Sequence, residues 1–426
     1  MRIHIENGRV IDPASDSDTT QDLYIAAGKI VGYGRTPPGF HANRVIDAAG
    51  LIVCPGLVDL SARLREPGYE YRATLESEME AAAAGGVTSL ACPPDTDPPL
   101  DEPGLVAMLK HRARNLNRAK LYPVGALTMG LAGERLTEMG ELTDAGCIAF
   151  SQATRSIINT QVLLRALQYA ATFGYAVWLF PQDPFLAQDG VAHDGEVATR
   201  LGLAGIPVVA ETVRLATLLQ LARVTGARLH VTRVSSAAGM ALVAEARRDG
   251  INVTCDVSAN HLHLSEMDIA HFDPHAHLAP PLRSQRDRDA LRQGLADGLI
   301  DAVCSDHTPV DDDAKQVPFA EAEPGATGLE LLLPLTLKWG GEMGLPLVKT
   351  LARVTCDAAR VMGLSAGTLA TGSPADVCIF DAQTYTRITR ETLKSQGKNT
   401  PFLGYELAGQ VRYTLIDGHV VFEARR

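Results

Sequence analysis

No apolar run in the chain approaches the roughly 20 residues that a helix needs to cross a bilayer, so no membrane span is expected. The first residues, MRIHIENGRVID, lack the basic stretch and apolar core of a secretion signal and alternate like a strand instead. Clustered Lys and Arg are missing too. Thirty-nine basic against fifty acidic residues leave a charge of -11 at pH 7, the wrong sign and pattern for a phosphate backbone, which argues against a nucleic-acid partner. The seven cysteines (Cys54, Cys92, Cys147, Cys255, Cys304, Cys356, Cys378) show no CxxC spacing. Several sit in apolar strand-like runs, as buried thiols do, and a reducing cytoplasm is the expected setting. There is no internal repeat and no low-complexity linker. With 426 residues, 46% of them hydrophobic, a disordered or fibrous chain is excluded, and the length suits one barrel-sized domain with a smaller satellite.

What is present is a rhythm. From about residue 50 to 310, short β-branched runs alternate with longer Ala/Leu/Glu-rich stretches, as βα units do. Eight strand candidates can be counted: LIVCPGLVDL at 51–60, VTSLACP from Val87, KLYPVGAL from Lys120, CIAFSQA from Cys147, AVWLFP from Ala176, RLHVTRVS from Arg228, NVTCDVS from Asn252 and DAVCSDH from Asp301. Eight strands with intervening helices predict a closed α/β barrel over residues 51–366, with its site at the strands' C-terminal ends. The stretch TLESEMEAAAA predicts a helix, with Thr74 as N-cap, acids in its first turn and Gly85-Gly86 as its stop. Residues 1–50 and 367–426 share period-2 alternation and the turn signals Asn7-Gly8 and Asp417-Gly418, which predicts one small β-domain built from both ends. The acidic, Pro/Gly-rich stretch 310–328 reads as a loop and as the nearest thing to a mobile segment.

Four sets of words recur in order: PGLVDL with R-EPG (55–68), SDHTP (305–309), GLE (328–330) and NTPF (399–402). Their order and spacing over essentially the whole length resemble the dihydroorotases, in particular the type found in multifunctional pyrimidine-synthesis complexes. The resemblance implies a (β/α)8 barrel of the amidohydrolase superfamily, and it implies zinc. At the zinc-ligand positions, however, this sequence departs from the family. The first-strand His-x-His is here Ser61-Ala62-Arg63, and the bridging acid or carboxylated lysine after the fourth strand is Gln152. The histidine ending the fifth strand is Phe180, and the one ending the sixth is Arg233; Asp306 alone survives as a metal-ligating, base-type aspartate. A zinc hydrolase needs about three protein ligands of correct charge to activate water. A guanidinium ~4 Å from a divalent ion at effective dielectric 20 is repelled by roughly 8 kcal/mol, so no zinc and no other cofactor is expected. The expectation instead is that Arg63 and Arg233 replace the metal's charge and pair with Asp306 in bidentate geometry.

Substrate positions have decayed as well. Arg65 stands where the resemblance places the carboxylate-gripping arginine, with a salt bridge to Glu66 or to a neighbouring strand as its alternative role. Asp95 replaces an asparagine and Ala279 another, while Val310 stands where a histidine is expected; an acid at 95 is expected to repel an anionic substrate. Asp306 and His307 have a simpler alternative role as caps of the last loop. The histidines 261, 263, 271, 275 and 277 are weighed as a relocated metal site and set aside, because Asp273-Pro274 interrupts them and no cysteine joins them. Asp311, Asp312 and Asp313 read as a solvated loop.

Three functions follow. The leading expectation, by resemblance, is a catalytically inactive dihydroorotase-like protein that supports the aspartate carbamoyltransferase catalytic subunit in pyrimidine (UMP) biosynthesis, in a homo- or hetero-oligomer. The alternatives are an active cyclic amidohydrolase with a non-standard site, and a ligand-sensing pocket lined by Arg63, Arg65 and Arg233.

Overall fold

The computed structural model describes residues 1–424 except residue 270. All eight expected runs form parallel strands: β1 (Leu57–Asp59), β2 (Val87–Cys92), β3 (Lys120–Ala126), β4 (Ala149–Ser151), β5 (Ala176–Leu179), β6 (Arg228–Val231), β7 (Val253–Ser258) and β8 (Ala302–Cys304). They hydrogen-bond in sequence order. Closure comes just beyond β1 and β8, where Ala62 bridges His307 in parallel and Ser61 O and His307 O accept from the His307 and Arg63 N–H groups.

The run at 51–60 is two strands rather than one. Ile52–Pro55 pairs with Val377–Arg387 and with Arg9–Asp12, outside the barrel, and only residues after Gly56 enter it. The switch needs glycine because a Cβ at 56 would lie 2.2 Å from the Thr88 side chain. The two chain ends supply a six-stranded sheet and a four-stranded sheet, and Ile3, Ile5, Leu23, Ile25, Val377, Ile379 and Leu415 share one core between them. Asp417-Gly418, with φ of +46° and +68°, turns a hairpin as its sequence signals. Asn7-Gly8 does not: it carries the chain from one sheet to the other, since Arg2–Glu6 and Arg9–Asp12 lie in different sheets.

Helix α1 (Leu75–Ala84) begins at Thr74, whose side chain accepts from the Ser77 N–H while Ser77 answers to the Thr74 N–H. The stretch 310–328 is a loop, yet a packed one. Lys315 is buried and its Nζ donates to Pro274 O at 2.8 Å, while Phe319 stacks on His277 with ring centroids 4.9 Å apart. Among the described residues no helix is long and apolar enough to cross a membrane.

Candidate functional site

At the C-terminal mouth of the barrel, where βα loops place reactive groups, the strand-end residues meet one another. Asp306 follows β8 and is buried at 5% exposure. Its Oδ1 accepts from Arg233 Nη1 at 2.8 Å and from Arg63 Nη1 at 3.3 Å. Both arginines therefore reach the aspartate, as charge balance requires, but not in bidentate fashion. Each offers one nitrogen to the same oxygen, because each has a second engagement. Arg63 Nε donates to Asp95 Oδ2 at 2.8 Å and Arg63 Nη1 to Thr308 Oγ1 at 3.0 Å. Arg233 Nη1 donates to Ala279 O at 3.2 Å, and its guanidinium carbon lies 4.7 Å from the centre of the Phe180 ring.

Phe180 thus supplies a cation–π face for Arg233. Asp95 likewise does not present a free charge to a ligand. Burial works against its ionisation, but the charge and hydrogen bond of Arg63 outweigh burial and hold the carboxyl below its usual range. Gln152 turns to Thr128, whose Oγ1 accepts from Nε2 at 2.8 Å. Arg65 does not form the salt bridge to Glu66 weighed as its alternative role: Nε donates to Pro309 O at 2.7 Å, and Glu66 pairs with Arg112. Burial first, and then the charge of Arg63, bring the Arg65 pKa down to about 10. Val310 is buried, with its N–H donated to Asn399 Oδ1.

These side chains do not fit a zinc ion. Phe180 has no lone pair to offer, Arg63 and Arg233 are cations that can only donate, the Asp306 carboxylate accepts from both guanidiniums, and among the described residues no three His, Cys, Asp or Glu side chains are placed to share a metal. The histidine run does not converge either. His261 faces Pro281 O, His263 donates toward Leu335 O, His275 pairs with Asp273, and His277 stacks on Phe319. The space left among Ser61, Arg63, Ser151, Trp178 and Arg233 is about 20 Å³, room for about one water, whereas small-molecule pockets begin near 300 Å³.

Other family words hold the fold. His307 is fully buried and joins the barrel to α1: its Nε2 lies 2.6 Å from Glu78 Oε2, and its Nδ1 accepts from the Gly328 N–H at 3.0 Å. Glu78 reads from the sequence as a first-turn helix acid; it is completely buried, and burial opposes its charge, but His307, Ser395 and Ser77 keep its pKa low. Ser235 and Ser236 both donate to the buried Glu211, and Arg283 Nε donates to Ser235 Oγ at 3.2 Å. Asn399 Nδ2 donates to Thr308 O and Gly325 O, pinning the loop 310–328.

The outer face of the barrel carries a second feature. Helix α2 (Thr160–Phe173) is preceded by Ile158, 61% exposed, and α3 (Val208–Thr225) shows Val209, Val213 and Val224 to solvent. In α3 Val209 and Val213 lie one turn apart on one side, at 100° per residue, with Val224 on the same side about 16 Å further along, while Leu215, Leu218 and Ala222 bury the other. Phe185 and Leu186, also exposed, follow Asp183, whose N–H donates to Ala210 O at the start of α3, and Arg214 of α3 donates to Ile157 O, next to Ile158.

Comparison with known proteins places this geometry. Over 425 residues the chain is 49% identical to a "Dihydroorotase-like protein" of Pseudomonas aeruginosa, covering 99% of this chain and 100% of that one. The chain belongs to the dihydroorotase family. The sequence model described as "Dihydro-orotase-like" matches residues 50–238, and that of the "Amidohydrolase family" matches residues 195–421. Relatives in the dihydroorotase family carry two names. A "Dihydroorotase-like protein" of Pseudomonas putida is 46% identical over 422 residues, 99% of each chain. A "Dihydroorotase" of Geotalea daltonii is 40% identical over 421 residues, again 99% of each chain. Among solved structures, the L-hydantoinase (dihydropyrimidinase) of Arthrobacter aurescens superposes with a TM-score of 0.89 at 26% identity, covering 99% of this chain and 96% of that one. Membership in the dihydroorotase family fixes the barrel and its β-domain; the chemistry must be argued from the site.

Proposed function

We propose that this protein is a non-catalytic dihydroorotase homologue that serves as a structural subunit for the aspartate carbamoyltransferase catalytic chain in pyrimidine synthesis, without zinc. The observation that carries the loss of catalysis is the shared engagement of Asp306 by Arg63 and Arg233. A general base must be free to take a proton from an attacking water; here the carboxylate accepts from two cations, and the cavity lined by those two arginines has room for about one water. The partner comes from the family resemblance, and the exposed apolar stripe of α3 with Phe185 and Leu186 supports an association role. Large apolar side chains grouped on one exposed face mark interaction surfaces more often than isolated ones do.

The test is co-expression with the aspartate carbamoyltransferase catalytic chain followed by analytical ultracentrifugation. A stoichiometric complex supports the reading, and two independently sedimenting species at micromolar concentration overturn its partner. The relatives named "Dihydroorotase" keep a second reading in view, a working cyclic amidohydrolase. Turnover of dihydroorotate separates the two.

A further inference from the structure

We propose that the β-domain made by the two chain ends holds a binding site for a small organic ammonium ion, a primary amine on a short apolar chain, with Asp12 as its anionic anchor. The site lies outside the barrel, and the inference does not depend on the proposed function.

Asp12 ends the strand Arg9–Asp12 of the six-stranded sheet and is 5% exposed. It is the one charged side chain lining a cavity of about 440 Å³, within the range of roughly 300–1,000 Å³ that small-molecule sites occupy. Its carboxylate is poorly met. Oδ1 accepts from the Ala14 N–H at 3.3 Å, and Oδ2 accepts from Ser15 Oγ and from Thr368 Oγ1, each at 3.2 Å. Hydrogen bonds to a carboxylate ordinarily run about 2.5–2.9 Å. Buried carboxylates elsewhere in the chain reach that range: Asp306 at 2.8 Å, Asp256 at 2.7 Å and Glu78 at 2.6 Å.

The charges around the cavity leave Asp12 alone. All three of its donors are neutral, and among the described residues no Lys, Arg or His pairs with it. Lys349, which reaches the same turn, pairs with Asp16 at 3.1 Å, and Asp18 pairs with Arg9. A carboxylate withdrawn from water without a counter-charge is unfavourable. Water can enter the space but brings no charge.

The walls then select the class of cation. Val10 is 1% exposed, and Tyr33 enters from the other sheet, on the strand Lys29–Tyr33. Burial first, and then the charge of Asp12, push the Tyr33 phenol up, so it stays neutral, and its hydroxyl makes no hydrogen bond among the described residues. Aliphatic and aromatic walls suit an alkyl chain, while Asp12 takes the ammonium and the Tyr33 hydroxyl accepts a further N–H. A metal is disfavoured, because among the described residues no three His, Cys, Asp or Glu side chains come together.

The test follows thermal unfolding of the intact chain in n-butylammonium chloride, sodium chloride and potassium chloride at matched ionic strength. A saturable rise in melting temperature with butylammonium alone is expected. Asp12→Asn keeps an acceptor oxygen and removes the charge; it should raise the half-saturating concentration about tenfold or more, as the loss of one charge-assisted hydrogen bond does. Ala370→Trp fills the cavity from an exposed position and leaves Asp12 in place, so it should weaken binding as much and decides the matter if the asparagine variant does not fold. Equal shifts in all three salts, no saturable shift with butylammonium, or a shift that Ala370→Trp leaves unchanged would each overturn the site.

Discussion

Replacing Asp306 with asparagine should destabilise this protein far more than the loss of a catalytic group would. The substitution keeps the volume and an acceptor oxygen but removes the charge shared by Arg63 and Arg233, which are 7% and 4% exposed. At an effective dielectric of 20, a unit pair about 3 Å apart is attracted by roughly 5 kcal/mol, and that attraction offsets the desolvation of the guanidiniums. Removing one partner of a buried pair costs about 3–5 kcal/mol. Because asparagine still accepts one hydrogen bond, the lower end, about 3 kcal/mol, is expected. Urea unfolding followed by tryptophan fluorescence is a suitable assay, since Trp178 lines the site. Arg233→Met should cost less in the D306N background than in the wild type, with a coupling of at least about 1 kcal/mol. Asp306→Asn within 0.5 kcal/mol of the wild type, and no coupling, would refute the account of the arginines as stand-ins for the metal's charge.

Three further outcomes follow from the same structure. Phe185→Ser combined with Val213→Glu should weaken the carbamoyltransferase complex by tenfold or more, measured by sedimentation, while shifting stability by only about 0.5 kcal/mol because both positions are exposed. Burial brings His261, His263 and His277 down to about 4. Between their unfolded value of about 6.5 and that pH the unfolded chain binds protons that the folded chain refuses, so stability falls on acidification across this window, by up to about 1.4 kcal/mol per pH unit for each histidine. A urea midpoint that stays flat from pH 6.5 to 4.5 would contradict it. Burial also pushes the Cys92 and Cys147 thiols up to about 12, and six of the seven thiols are buried. A colorimetric thiol reagent should therefore find at most Cys356 in the native protein and all seven after unfolding; two or more fast thiols would argue against the core as described.

How far the sequence could be read depended on the range of the interaction. β-branched runs and turn residues are local, so the eight strands, the α1 cap at Thr74 and the Asp417-Gly418 hairpin could be anticipated. The passage of Ile52–Pro55 into the outer sheet could not, because no residue in that run distinguishes a barrel partner from a β-domain partner. At the site, the sequence names the residues but not what each of them touches: Phe180 under Arg233, Gln152 on Thr128, Asp95 on Arg63 and Glu78 on His307 join residues 24 to 229 apart in the chain. Glu78 in particular carries the signature of a helix-start acid, and only the fold turns it inward. The exposed stripe of α3 was also hidden, since a helix apolar on both sides gives no amphipathic period.

The most direct test of the central claim is dihydroorotate hydrolysis by the purified chain with zinc added, with metal content determined by elemental analysis on the same sample. No turnover above the uncatalysed rate and no stoichiometric zinc is the predicted result. Stoichiometric zinc with turnover would contradict it and would mean that Arg63 and Arg233 do not hold Asp306 as described.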